Sequence, residues 1–241
     1  MKMYVIGTGP GGPDEMTPRA RRAIERCEVV AGYGLYVDLI RELTEGKEII
    51  TTGMTGERAR CDAAIQAALA GKSVCVVSGG DAGVYGMASL VLELSQAFPR
   101  IEVEVIPGVT AACSASAVLG APLSGDFAAI SLSDRLTDWA TIENRLRLSA
   151  RADFVICLYN PASKARKKHL KDACAIVMEH RSAETPCGAV RGAGRPGEEV
   201  FVTRLDELCD FEADMFTTVV IGNSATRVIN GRLVTPRGYI L

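Results

Sequence analysis

Two glycine-rich runs carry the residue types best suited to holding a small molecule. The first, Gly7-Thr8-Gly9-Pro10-Gly11-Gly12, follows an apolar run and matches the GxGxxG pattern that cradles a dinucleotide pyrophosphate. Its details speak against that use. A dinucleotide loop passes straight into a helix whose N-terminus meets the phosphates. Here Pro10 and Pro13 interrupt the loop, and a credible helix start comes only at Thr17-Pro18. No Gly-Lys-Ser/Thr follows, so this is not a nucleoside triphosphate loop either. The second run, Ser78-Gly79-Gly80-Asp81-Ala82-Gly83-Val84-Tyr85-Gly86, is more informative. Gly79 and Gly80 at a strand end let a ligand touch the main chain, and Asp81 places a carboxylate beside it. That combination suits a cationic or hydroxyl-rich molecule. A tight turn with a capping aspartate explains Gly79 to Asp81 but not Gly83 and Gly86 as well.

The elements that must position these runs follow from the hydrophobic pattern. Residues 3–6 form a short apolar strand ending at the first glycine loop, and the capped start at Thr17-Pro18 opens a helix to about Cys27. Strands are expected at 28–31 and 48–50, a helix over about 55–70, a Val-rich strand at 72–77, and helical spacing through Met87, Leu90, Val91 and Leu94. A strand at 101–106 leads through Pro107-Gly108-Val109 into a helix of small residues, 110–117, which something must approach closely. This alternation predicts a mainly parallel sheet covered on both faces, with the loops at 7–13, 78–86 and 107–111 at one edge, the edge where such sheets bind ligands. The segment Gly120-Ala121-Pro122-Leu123-Ser124-Gly125 marks a boundary, dividing the chain into α/β domains at 1–121 and 122–241. In the second, strands are expected at 127–132, 153–158, 187–191, 199–203 and 217–221, and helices at about 138–149 and 164–180. Asn230-Gly231 between apolar pairs predicts a hairpin.

Bulk composition excludes several classes. With 241 residues, 48% hydrophobic and 23% charged, the chain is long enough for a sizeable core. A formal net charge of -2 gives no global attraction for nucleic acid or anionic membranes. No apolar run reaches the roughly 18–20 residues that span a bilayer, and the first residues lack the pattern of a signal peptide, so a cytoplasmic protein is expected. The eight cysteines form no CxxC or CxxxC pair, so buried thiols are expected rather than disulfides, and no metal site. His169 and His180 fall in a Lys/Arg-rich helical stretch, which places both on a solvated helix face.

Four motifs in order, Gly7-Thr8-Gly9-Pro10-Gly11, Ser78-Gly79-Gly80-Asp81, Pro107-Gly108-Val109-Thr110-Ala111 and Leu158-Tyr159-Asn160-Pro161, resemble the tetrapyrrole (corrin/porphyrin) methyltransferase superfamily from end to end. Within it, Gly32-Tyr33-Gly34-Leu35-Tyr36, Asp81-Ala82-Gly83-Val84-Tyr85-Gly86-Met87-Ala88, Ser131-Leu132-Ser133-Asp134, the stretch from Tyr159 to Arg166 and Thr217-Thr218-Val219-Val220-Ile221-Gly222-Asn223-Ser224 are similar to the branch that methylates carbon 17 of precorrin-3B. The resemblance implies the class III methyltransferase fold, two α/β domains with S-adenosyl-L-methionine in the cleft between them and a macrocycle over it. Carried over, the donor contacts are Pro10, Gly79, Gly80, Asp81, Val84, Thr110 and Ala111 in the first domain and Leu158, Asn160, Ala189 and Thr217 in the second. It also implies a homodimer. Whether the substrate already carries cobalt stays open.

Methylation of an electron-rich ring carbon needs no activated side chain, and no catalytic triad is visible. Ring contraction to precorrin-4 adds a proton transfer at a hydroxyl-bearing carbon, for which Asp134 is the first candidate and Asp81 the second. A turn-capping role explains Asp134 equally well. The substrate's carboxylates call for cations, with Arg58, Arg60, Arg135, Lys164, Arg166 and Lys167 as candidates, of which two or three are expected to make contact. The alternatives are another precorrin or sirohaem methyltransferase, a nicotinamide-dependent oxidoreductase using the Gly7 to Gly12 loop, and a noncatalytic tetrapyrrole carrier.

Overall fold

The computed structural model describes residues 1–53, 55–163 and 165–240. The chain divides into two compact units, Met1–Ala111 and Ala112–Leu241. This division falls earlier than the glycine- and proline-bearing segment at 120–125.

The first unit is a five-stranded sheet in the order β3-β2-β4-β1-β5, built from β1 (Lys2–Gly7), β2 (Val29–Tyr33), β3 (Glu48–Thr52), β4 (Val74–Ser78) and β5 (Glu102–Ile106). Every pairing is parallel. Parallel strands need helical crossovers, and these cover both faces. Alternate residues of each strand serve opposite faces. Met3, Val5, Val29, Ala31, Val74 and Val76 pack with Cys61, Ala64, Ile65 and Ala68 of α3 (Glu57–Leu69) and Val91 of α4 (Ala88–Ser95). Ile6, Val30, Cys75, Val77 and Ile106 pack with Ala20, Ala23 and Ile24 of α1 (Pro18–Arg26) and Val37 of α2 (Gly34–Leu39). Thr17 caps α1 by accepting from the Ala20 amide at 3.1 Å, with Pro18 at the first helical position, as expected from the sequence. The six-residue α2 was not expected, because so short a helix leaves no 3.6-residue repeat to read.

The second unit has a sheet in the order β10-β9-β11-β8-β7, from β7 (Phe127–Ser131), β8 (Val155–Tyr159), β9 (Pro186–Arg191), β10 (Glu199–Arg204) and β11 (Thr217–Ile221). Only β7 and β8 pair in parallel; the other pairings are antiparallel. One face packs under α6 (Trp139–Arg151), α7 (His169–Met178) and the short α8 (Leu205–Leu208). On the other face lies α5 (Ala111–Leu119), whose Ala112, Ala115 and Leu119 meet Val155, Cys157, Val190 and Val220. The small residues of α5 therefore admit this sheet, and the Tyr159 hydroxyl accepts from the Ala112 amide at 3.0 Å. A third sheet of β6 (Gly120–Ala121), β12 (Arg227–Ile229) and β13 (Arg232–Val234) contains the expected hairpin, with Asn230 and Gly231 both at positive φ. The α7 helix begins at His169, later than residue 164, after a turn in which Ser163 and Arg166 exchange amide-to-carbonyl bonds at 3.3 and 3.0 Å.

Arg181 fastens the end of the second sheet opposite Tyr159. Its guanidinium donates to the carbonyls of Ala150, Gly222 and Phe154 at 2.9, 2.7 and 2.8 Å. The side chain is almost fully buried, and Asp153 lies 3.5 Å away. Arg181→Leu removes the guanidinium donor from three carbonyls, of which Ala150 alone keeps the Asp153 amide at 3.2 Å among the bonds described, and is expected to cost about 3 kcal/mol in chemical denaturation; Arg151→Leu, at an exposed position nearby, is expected to cost under about 0.5 kcal/mol.

Candidate functional site

Three loops meet at the carboxyl ends of β1, β4 and β5. The amide of Thr8 donates to the Ser78 carbonyl at 2.9 Å, and Gly9 and Gly80 exchange amide-to-carbonyl bonds at 3.0 and 2.8 Å, forming a two-residue bridge between the first two loops. The Thr8 hydroxyl, fully buried, donates to the same Ser78 carbonyl. The third loop joins through Asp81. One carboxylate oxygen accepts the Gly83 amide at 2.7 Å and the other accepts the Gly108 amide at 2.9 Å. A Cβ on Gly108 would stand 2.2 Å from the Gly80 carbonyl oxygen and 2.7 Å from the Gly7 carbonyl. The loops thus touch backbone to backbone, which requires glycine.

The glycine loop after β1 runs through a single 3-10 turn, Pro13–Glu15, before α1 opens at Pro18. No α-helix starts at the glycines, so the pyrophosphate-binding geometry of a dinucleotide fold is missing from this loop. Of the donor contacts expected in this unit, Gly79, Gly80 and Asp81 form the centre of the loop junction. Pro10 is buried in the adjoining loop, Val84 is exposed, and Thr110 and Ala111 close the third loop at the start of α5. Leu35, Val84, Tyr85 and Val109 present exposed apolar side chains just after β2, β4 and β5.

The second unit brings another set together where β7 and β8 end. Asn160, at φ 52°, donates its side-chain amide to the Ser131 hydroxyl at 3.0 Å, tying the two strand ends. Leu158 and Ala189 bury their side chains in the core, so only their backbones are available to a ligand. Thr217 is also buried, its hydroxyl donating to Asp214 at 2.8 Å. Asp134 lies in the loop after β7 with His169 Nε2 3.2 Å from one oxygen and Arg166 3.9 Å from the other. His169 therefore belongs to this cluster, not to a solvated helix face. Nothing in its own segment signalled that, since the partner stands far away in sequence.

The six candidate cations separate sharply. Arg58 is 77% exposed and pairs with Asp62 on its own helix, while Arg135 and Lys167 are exposed. Arg60, two residues further along the same helix, is only 3% exposed. It donates to the Thr52 hydroxyl at 2.8 Å and contacts the Met87 sulfur at 3.7 Å, and its Nε has no partner. Arg166 is the other inward cation, and Lys164 lies outside the described residues. Burial pushes the thiols of Cys157 and Cys174 up to about 12 and that of Cys61 up to about 11, so these sulfurs are not thiolate nucleophiles at neutral pH. Among the described residues no His/Cys/Asp/Glu group is arranged to hold a metal ion, and no helix is long and apolar enough to cross a membrane. A groove of about 540 Å³ in the second unit lies at the opposite strand ends, beside Arg181, whose guanidinium is already bonded to carbonyls.

A parallel α/β unit whose strand-end loops are joined through glycine main chain, followed by a mixed-sheet α/β unit, is the plan of a class of methylases. Residues 2–209 match the model of the Tetrapyrrole (Corrin/Porphyrin) Methylases, and the chain belongs to that family. It is 49% identical to a probable cobalt-factor III C(17)-methyltransferase of Salmonella typhimurium, over 99% of this chain and all of that one. It is 46% identical to a cobalt-factor III methyltransferase of Priestia megaterium over 99% of this chain but 45% of that longer protein. Its structure resembles that of the methyltransferase CobJ with a TM-score of 0.90 and 37% identity, covering 97% of this chain and 99% of the other.

The loop junction predicts a large steric effect. Gly108→Ala is expected to destabilise the protein by about 3 kcal/mol, because backbone on both sides must move. Gly34→Ala, with nothing within 4 Å of the added carbon, is expected to change stability by under about 0.5 kcal/mol. Urea denaturation of the two variants checks this.

Proposed function

We propose that this chain is an S-adenosyl-L-methionine-dependent methyltransferase that methylates carbon 17 of precorrin-3B, or of its cobalt form, with contraction of the macrocycle. The observation that carries the reading is the junction of three glycine loops at one edge of a parallel sheet, which brings main chain unshielded by bulky side chains to the edge where such sheets bind ligands. The residues fit the donor: along 79–83 no side chain is larger than that of Asp81, so the main chain stays approachable, and Thr110 and Ala111 are small. The names of the Salmonella and Priestia relatives favour the cobalt-containing substrate. The exposed apolar side chains at Leu35, Val84, Tyr85 and Val109 suit a flat, largely apolar ring system. Arg166, beside the partly open Asp134, is the best placed of the five described candidates to meet its carboxylates, whereas Arg60 is spent on Thr52 in the core.

When bound, the donor supplies an electrophilic methyl group. The nucleophile is a ring carbon of the substrate, so the chain's task is orientation. Gly79, Gly80 and the Thr110-Ala111 turn fix one partner through backbone contacts that rotamer changes cannot loosen. Holding two reactants in line in this way lowers a barrier by as much as about 7–11 kcal/mol. Asp134, the more open of the two candidate carboxylates, takes the proton-transfer role, while Asp81 braces the loops. The protein works in the cytoplasm as a homodimer; the apolar residues Val200, Phe201 and Val202, exposed on edge strand β10, favour self-association.

Isothermal calorimetry with S-adenosylhomocysteine and with NAD separates this reading from the oxidoreductase. Micromolar binding of the first and none of the second is expected; the reverse pattern would overturn the proposal. Mass spectrometry of an incubation with S-adenosylmethionine and a precorrin-3-type substrate is expected to show a gain of one methyl group, whereas a carrier would return the substrate unchanged.

A further inference from the structure

The loop after β7 and the start of α7 hold a group of side chains that the donor contacts do not use. Asp134 is 40% exposed, with Oδ2 at 3.2 Å from His169 Nε2 and Oδ1 at 3.9 Å from Arg166 Nη1. His169, the first residue of α7, is 18% exposed, and Arg166 is 15% exposed. From α6, Trp139 meets the imidazole edge to face at 4.6 Å between ring centroids, and its indole N–H donates to Glu143 at 3.1 Å. Among the described residues the charged and titratable groups acting on Asp134 are Arg166 and His169, with Glu143 one step behind through Trp139. Two atoms of the cluster, His169 Nδ1 and Arg166 Nε, are buried with no hydrogen-bond partner.

An imidazole nitrogen at this distance from a carboxylate oxygen must carry its proton, so Nε2–H donates to Asp134. Trp139 fixes the plane of the ring and α7 fixes its origin. The carboxylate is held by the His169 donor on one oxygen and faced by the Arg166 charge on the other, while a substantial part of it stays open. The arrangement leaves an oriented carboxylate oxygen open in the loop that follows β7.

We propose that His169 is the positioning residue for Asp134, holding its carboxylate oriented and ionised so that Asp134 takes the hydroxyl proton of the macrocycle during ring contraction. This inference rests on the function proposed above. In the step, the substrate O–H bond breaks, the proton passes to an Asp134 oxygen, and the electron pair of that bond stays on the substrate oxygen, so no oxidant or reductant is consumed. The electrostatics agree in direction. Loss of hydration alone would raise the Asp134 carboxyl, but the His169 hydrogen bond and the nearby Arg166 charge bring it below the usual carboxylate range. Removing His169 therefore moves the protonation of Asp134 to higher pH.

The test uses the full chain with Asp134→Asn, His169→Ala and His169→Gln, and far-UV circular dichroism as a control of folding. Two quantities are measured: the ratio of ring-contracted to merely methylated product across pH, and the titration midpoint of the Asp134 carboxyl carbon by NMR. Asp134→Asn is expected to lower contraction by about a hundredfold or more. His169→Ala is expected to lower it about tenfold and to shift both the acid limb and the NMR midpoint upward. In His169→Gln the amide N–H still donates to Asp134, so most of the rate and the wild-type acid limb should return. An unchanged acid limb and NMR midpoint in His169→Ala would overturn the proposal, as would His169→Gln behaving no better than His169→Ala. A wild-type chain that contracts no tetrapyrrole would overturn Asp134's task together with the proposed function, and the NMR midpoint would still report separately whether His169 governs that carboxylate.

Discussion

The close contact of Gly7, Gly80 and Gly108 is the constraint on which the first unit depends. Three loops leave the sheet at β1, β4 and β5, and they pack so tightly that a single methyl group on Gly108 would enter the van der Waals space of two carbonyls. Such contact would leave amides unpaired were it not for the Gly9–Gly80 bridge and the Asp81 carboxylate, which accepts from the second and third loops. Asp81 therefore does for the loops what a ladder does for strands. The result is a rigid strand-end surface made of main chain, whose polar groups are fixed before any ligand arrives.

The second unit solves a different problem. Its sheet is antiparallel except at β7 and β8, the one pair whose carboxyl ends lie side by side. That parallel pair is what sets Ser131 next to Asn160 and the loop of Asp134 next to the start of α7. At the other end of the same sheet Arg181 uses its charge entirely on backbone carbonyls. One end of the sheet is thus consolidated while the other keeps Asp134 partly open and two nitrogen atoms of its neighbours without partners.

Much of this plan was legible in the sequence because it rests on local signals. Alternating apolar runs ending in glycine gave the strands of the first unit, Thr17-Pro18 gave the start of α1, and Asn230-Gly231 gave the hairpin. Direction of pairing in the second sheet was not legible, since the same apolar pattern serves parallel and antiparallel neighbours. Arg58 and Arg60 look alike in sequence, yet helical geometry sends one to solvent and the other into the core. His169 was misread for a related reason: a basic stretch predicts solvation, and only the fold reveals that a carboxylate and an indole stand against the ring. The dual engagement of Asp81 was hidden too, because one of its two backbone partners, Gly108, comes from a distant loop.

The central claim is that the three glycine loops form the surface that binds the methyl donor. Its most direct test is the change in backbone amide NMR shifts when S-adenosylhomocysteine is added. The largest changes are expected at Gly79, Gly80, Gly83 and Val109 through Ala111, with little at Ser182 to Thr185 or Asn223 to Thr226. Changes concentrated in those latter segments, with the glycine loops unmoved, would contradict it.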